Sequence, residues 1–416
     1  MAAVKEQDLR SVVNRIVDQV RITDVHTHLY TAGFGDMLLW GVDELLTYHY
    51  LIAETFRYAD VNYDEFWKMS KKEQADLIWK TLFIDNSPYS ESCRGVLTVL
   101  HELGLDVSSR DLDAYRQYFA DKTVDEYVDI VFEISRVKNA VMTNDPFDEK
   151  ERAVWEKGVK KDERFFAALR IDPLLINWEN VWSKIKSWGY NVEESLTEDT
   201  YAEVRRFLSD WIEKMDAVYM AVSLSNKFRY PDDSVQAKLI EHCILPVCRD
   251  KNIPFALMIG VNRQINPDLR LAGDAVGKSD IEAVNYLCAN YPKNKFMVTM
   301  LSRENQHELA VTARKFRNLL IFGCWWFLNN PSIIDEITRM RFELLGSSII
   351  PQHSDARVLD QLIYKWSHSR KIIANVLYDK YKDIMDAGWV LTEEEIQRDV
   401  EKLFGGAFWD FLNKKL

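Results

Sequence analysis

The stretch "ITDVHTHLY", residues 22 to 30, places His26 and His28 one residue apart at the end of a short β-branched run. In an extended strand, side chains two apart share a face, so both imidazoles project the same way. Two neutral imidazoles make a catalytic metal site if another segment supplies a third ligand and a coordination position stays open. The run "PQHSDAR", 351 to 357, offers one: His353, Asp355 and Arg357 alternate, and Asp355 completes a His, His, carboxylate shell if this run is extended and lies beside the first. Asp is also well suited to capping a following helix, so that carboxylate has two readings. His353 sits one layer deeper and reads as structural.

Other groups extend the chemistry. Arg170 and Asp172 share a face in "ALRIDPL", and Arg303 follows an apolar run in "LSREN". Guanidinium groups bind carboxylates bidentately, so arginines around one mouth suit a carboxylate substrate, whereas an isolated arginine is more often a surface ion-pair partner. "CWWF", 324 to 327, turns Trp325 or Trp326 inward in either register; an indole beside a polar site is a platform for a sugar, and packing explains it equally well. His49 and Tyr50 in "TYHY" are ordinary helix residues on spacing alone.

These residues need a frame. From residue 160 onward, short apolar runs alternate with longer amphipathic stretches: 164 to 172, 217 to 224, 254 to 261, 295 to 301, 319 to 326 and 347 to 356. With 22 to 29 and 139 to 144 they number eight, which closes a parallel (β/α)8 barrel with helices outside. A doubly wound sheet is the rival α/β architecture, but no glycine-rich phosphate loop follows the first run. In a closed barrel the first and eighth strands are neighbours, which brings Asp355 to the histidines. The fourth run carries no lysine to bridge two metals, and the fifth and sixth carry no histidine, so the spacing predicts one metal.

A bare barrel needs about 250 residues, and the chain has 416. Apolar residues recurring at three and four in "VDELLTYHYLIAETF" and "KKEQADLIWKTLF" predict a helical insertion over about 40 to 135, above the barrel's C-terminal mouth. The region after 357 reads as helices over the barrel wall. With no repeat, linker or low-complexity tract, residues 1 to 416 read as one domain.

Composition sets the class. A 47% hydrophobic content supports a large core, and an excess of 65 acidic over 53 basic side chains argues against a nucleic-acid footprint or a basic membrane-binding face. Any anionic substrate must therefore be attracted by local arginines. No apolar run approaches the ~20 residues of a membrane span, and the charged N-terminal stretch lacks a signal-peptide core; a cytoplasmic protein is expected. The five cysteines contain no CxxC pair and read as buried thiols.

Several of these motifs occurring together, "DVHTHL", "DELLTYHY", "ALRIDPL", "CWWF" and "SDAR", resemble the uronate isomerases, an outlying branch of the amidohydrolase superfamily, over nearly the whole chain. The stretches "MLSRENQHEL" and "FGCWWF" place it nearest one subgroup. The resemblance implies interconversion of D-glucuronate with D-fructuronate and of D-galacturonate with D-tagaturonate at one divalent metal; the N/O donor set suits zinc before manganese. It implies His26, His28 and Asp355 as the metal shell, and His49, Tyr50, Arg170 and Arg357 as residues that contact or transform the sugar acid. Better-known members carry a histidine at the end of the fifth strand; "ALMIGVNRQ" has none, and Arg303 is the candidate to compensate.

Moving a proton from C2 to C1 through an enediol needs a base, an acid and stabilisation of oxyanion charge. Asp355 is the first candidate base and Tyr50 the second, the latter requiring its phenol pKa to fall. Arg357 would stabilise the enediolate and Arg170 hold the distal carboxylate. The rival activity is a metal-dependent hydrolase or decarboxylase of the same superfamily acting on an anionic substrate. Barrels of this kind often assemble, so a homo-oligomer is compatible with the sequence.

Overall fold

The computed structural model describes residues 3–416. Its sheet is built from β1 (Ile22–Thr27), β2 (Val137–Asn144), β3 (Phe165–Arg170), β4 (Ala217–Ser225), β5 (Phe255–Asn262), β6 (Ala275–Val276), β7 (Phe296–Met300) and β8 (Leu319–Ile321). The order is β1-β2-β3-β4-β5-β7-β8, all parallel, with β6 a short antiparallel addition to β5. Because the strands are covered on both faces they read as near-continuous apolar runs rather than alternating ones; every residue of β7 and all but the last of β5 are buried.

The eighth expected strand differs. Residues 347 to 356 form no regular strand and pair with β8 through a single bridge, Phe322 to Ile350. The segment nevertheless closes the circle. Ile350 N donates to Ile321 O at 3.0 Å and Gly323 N to Ile350 O at 2.7 Å, while on the other side Asp355 N donates to His26 O at 3.1 Å and His28 N to Ala356 O at 2.7 Å. The physical reason for the irregularity is the backbone at Asp355, whose φ of 52° lies in the left-handed region. A strand cannot continue through that conformation, so the simple alternation of His353, Asp355 and Arg357 does not hold.

A second irregularity lies in β1. Between Asp24 and Thr27 the strand advances three residues while β2 advances two, from Ala140 to Met142. This bulge re-aims the side chains that follow it, and His26 packs against Phe322 inside the barrel, with ring centroids 6.2 Å apart.

Between β1 and β2 lie the helices of the expected insertion, from Val42 to Ser135. The "VDELLTYHYLIAETF" pattern is two helices rather than one: Val42–Leu46 closes at Thr47, whose hydroxyl returns to Asp43 O, and Tyr48 is extended before His49–Thr55 begins. His49 and Tyr50 thus occupy a helix's first turn. The long helix Gln361–Asp386 packs against the wall, as expected of the region after 357, but the final helix, Ala407–Asn413, plugs the barrel's lower end through Phe408 and Phe411. All five cysteines are buried thiols. Among the described residues no helix is long and apolar enough to cross a membrane.

Candidate metal centre

The structure brings His26, His28 and Asp355 together. Nε2 of His26 lies 3.5 Å and Nε2 of His28 3.4 Å from the same oxygen, Asp355 Oδ1. One ligand atom from each of the three falls within 4.8 Å of the others.

The opposite edge of each imidazole decides what the Nε2 atoms can do. Tyr219 donates its hydroxyl proton to Val25 O at 2.8 Å, so its oxygen is left to accept from His26 Nδ1 at 3.2 Å. Thr143 likewise donates to Thr27 O at 2.9 Å and accepts from His28 Nδ1 at 2.9 Å. Both ring protons are therefore drawn to Nδ1, and both Nε2 lone pairs point at a carboxylate oxygen. His26 Nε2 and Asp355 Oδ1 are buried with no hydrogen-bond partner. Such a cluster of lone pairs repels unless a cation sits among them, and the N/N/O donor set fits one divalent ion.

Electrostatics agree. Burial, helped by Arg357 and Arg170 and opposed by Asp355, lowers His28 to about 4, so its imidazole is neutral at ordinary pH. The second layer is testable: Thr143→Val keeps the shape and removes both hydrogen bonds. It should weaken metal affinity about 10- to 100-fold, read by competition with a chelator, and unchanged affinity would mean that Thr143 does not orient His28.

The remaining predicted residues divide. His49 and Tyr50 line a cavity of about 240 Å³ together with Trp326, Phe327 and Tyr364. Burial first, then Arg357, lowers His49 to about 3. Burial, Tyr48 and Asp355 push the Tyr50 phenol well above its ordinary value, against the fall its use as a base would need. The Arg357 backbone N–H donates to Gln361 Oε1 at 2.8 Å, whereas no carboxylate of the described residues pairs with its guanidinium. Arg170 is held by a two-pronged bond to Asp172, at 2.9 and 3.0 Å, which uses part of its fork. Asp172 in turn accepts from Ser223 N at 3.3 Å and is fixed between two strands.

Trp325 is buried in the barrel's inner core rather than in the cavity. Arg303 is not brought to the centre: it is exposed and bonded through Nε and Nη2 to Glu336 on the outer helix Pro331–Leu345, and so does not replace the missing fifth-strand histidine. His353 is buried with neither ring nitrogen bonded, its centroid 5.1 Å from that of His26. Three contributors were invisible in the sequence. Tyr219 and Thr143 sit in ordinary apolar strands, and Lys365, 3% exposed, holds its Nζ 5.8 Å from the Tyr50 ring centre although it reads as a routine helix lysine. The partners that would have marked them lie far away in the chain.

No family model and no curated protein matches the chain. Solved structures do. The crystal structure of a uronate isomerase from Bacillus halodurans is 57% identical over 100% of this chain and 98% of its own, with a TM-score of 0.98. The chain belongs to the uronate isomerase family. Membership makes it an aldose-ketose isomerase, as the motifs led one to expect. Two more distant structures share the fold of this family member: a uronate isomerase from Thermotoga maritima, at 15% identity over 99% of this chain and 100% of its own, and a glucuronate isomerase from Caulobacter crescentus, at 14% over 99% and 95%; each has a TM-score of 0.78.

Proposed function

We propose that this uronate isomerase interconverts D-glucuronate with D-fructuronate and D-galacturonate with D-tagaturonate, using one divalent metal held by His26, His28 and Asp355. The observation that carries the reading is the convergence of two Nε2 lone pairs on Asp355 Oδ1, in a chain where Arg357 has no carboxylate partner. Zinc is the favoured ion and manganese the second, since both accept this donor set. Bound there, the ion supplies Lewis-acid polarisation of a substrate oxygen.

The residues do the rest. Arg357 offers a full guanidinium fork to the sugar acid or its enediolate, and Arg170, steadied by Asp172, offers its free edge to the distal carboxylate. Asp355 takes the proton from C2 and returns it to C1, breaking one C–H bond and forming another through the enediol. The hydroxyl protons must move the opposite way, onto O1 and off O2. Tyr50, kept protonated by burial, and His49, kept neutral, are the groups placed to pass them. Trp325 contributes packing and Arg303 a surface ion pair.

The test is turnover of each uronate to its keto acid by the metal-loaded protein, with His26→Asn as control. Keto acid formed by wild type and lost in the control is the expected result. A folded, metal-bound protein that turns over neither uronate would overturn the substrate assignment and favour the hydrolase or decarboxylase chemistry of the wider superfamily. A cytoplasmic location and one domain of 1–416 complete the reading.

A further inference from the structure

Trp326 combines three features that packing does not require. Its indole Nε1 is buried and has no hydrogen-bond partner, although that group can only donate. Its backbone φ is 48°, a left-handed conformation costly for a bulky side chain and found mainly where a residue must be aimed. It also lines the cavity that His49 and Tyr50 line. Phe327 stacks on the indole at 4.8 Å and 16°, and His49 meets it at 5.9 Å and 81°. With a face covered, the N–H is the one polar group the indole carries.

The cavity's lining bears on what the indole can bind. No lysine or arginine lines it, and its two carboxylates, Glu91 and Asp274, are already paired with Arg94 and Arg263, so a substrate carboxylate would find no free counter-charge there. A carboxylate is disfavoured there, and a neutral oxygen acceptor suits it. We propose that Trp326 is a specificity-determining residue whose indole N–H donates to one hydroxyl oxygen of the sugar acid, leaving the substrate carboxylate to the arginines. This rests on the uronate isomerase reading and adds the hydrogen bond by which the chain selects a polyhydroxylated chain over a simpler carboxylate.

Trp326→Phe removes the donor and keeps an aromatic ring. The expected result is a rise in KM of about 10-fold for the better uronate with kcat nearly unchanged, because a bond made equally in ground and transition states acts on KM. Thermal midpoint and metal content should stay at wild-type values. A KM within twofold of wild type in a folded, metal-loaded variant would overturn the proposal and make the indole a packing residue. A second measurement needs no variant: among single-deoxy hexuronates used as competitive inhibitors of the wild type, at least one should bind about 10-fold more weakly than its parent. Equal inhibition by all of them would overturn the proposal as well. If wild type turns over neither uronate, the substrate reading itself has failed, an outcome separate from normal turnover with an unaffected Trp326→Phe.

Discussion

Asp355→Asn should lower kcat by at least 100-fold even at saturating metal, and kcat/KM by more. The amide is nearly isosteric, so the left-handed backbone and the bonds from Asp355 N to His26 O and from His28 N to Ala356 O are undisturbed. What changes is charge and basicity. A neutral amide cannot remove a proton from C2, and general-base catalysis contributes about 100- to 10,000-fold. It is also a weaker ligand, so metal affinity must be measured separately and the ion supplied in excess. A loss below about 10-fold under those conditions would sink Asp355 as the base. Tyr50 would not inherit the role easily, because burial and the neighbouring Tyr48 and Asp355 hold its phenol in the protonated form.

The same residue shows how far the site could be read from sequence. The convergence of His26, His28 and Asp355 was legible because a barrel brings its first and last strands together and because few residue kinds can hold a metal. Their exact presentation was not. The bulge in β1 has no local marker, and the left-handed turn at Asp355 has only a weak one, since aspartate enters that region far less readily than glycine. The helical insertion was legible from apolar periodicity, but the break at Tyr48 was hidden inside an unbroken pattern, and it is this break that puts His49 and Tyr50 at a helix start. Arg303 illustrates the opposite failure. Its position just past a strand suggested the mouth, and only the packed structure shows Glu336 holding it outside. Arginines reach several partners within one side-chain length, so spacing places the Cα and not the charge.

Gly323→Ala should be the most damaging single methyl added near the centre, costing about 3 to 5 kcal/mol of stability as overpacking and left-handed strain add together. Gly323 has φ of 69°, and a Cβ there would lie 1.9 Å from Cδ2 of His353. The backbone has no room to retreat: Gly323 N donates to Ile350 O at 2.7 Å, and Gly323 O accepts from the buried Arg341 Nη1 at 2.8 Å. The ring must move instead, and it lies beside His26. Metal affinity should therefore fall along with stability, an effect absent if Gly323 merely eased a turn. Denaturant unfolding and chelator competition on Gly323→Ala read the two losses. The double variant with His353→Ala separates their causes, because deleting the ring removes the clash but leaves the φ of 69° in place. If the clash dominates, the double variant should be no less stable than Gly323→Ala alone, with a coupling energy of at least about 1 kcal/mol; simple addition of the two losses would mean that His353 and Gly323 act independently and that the buried histidine does not transmit packing to His26.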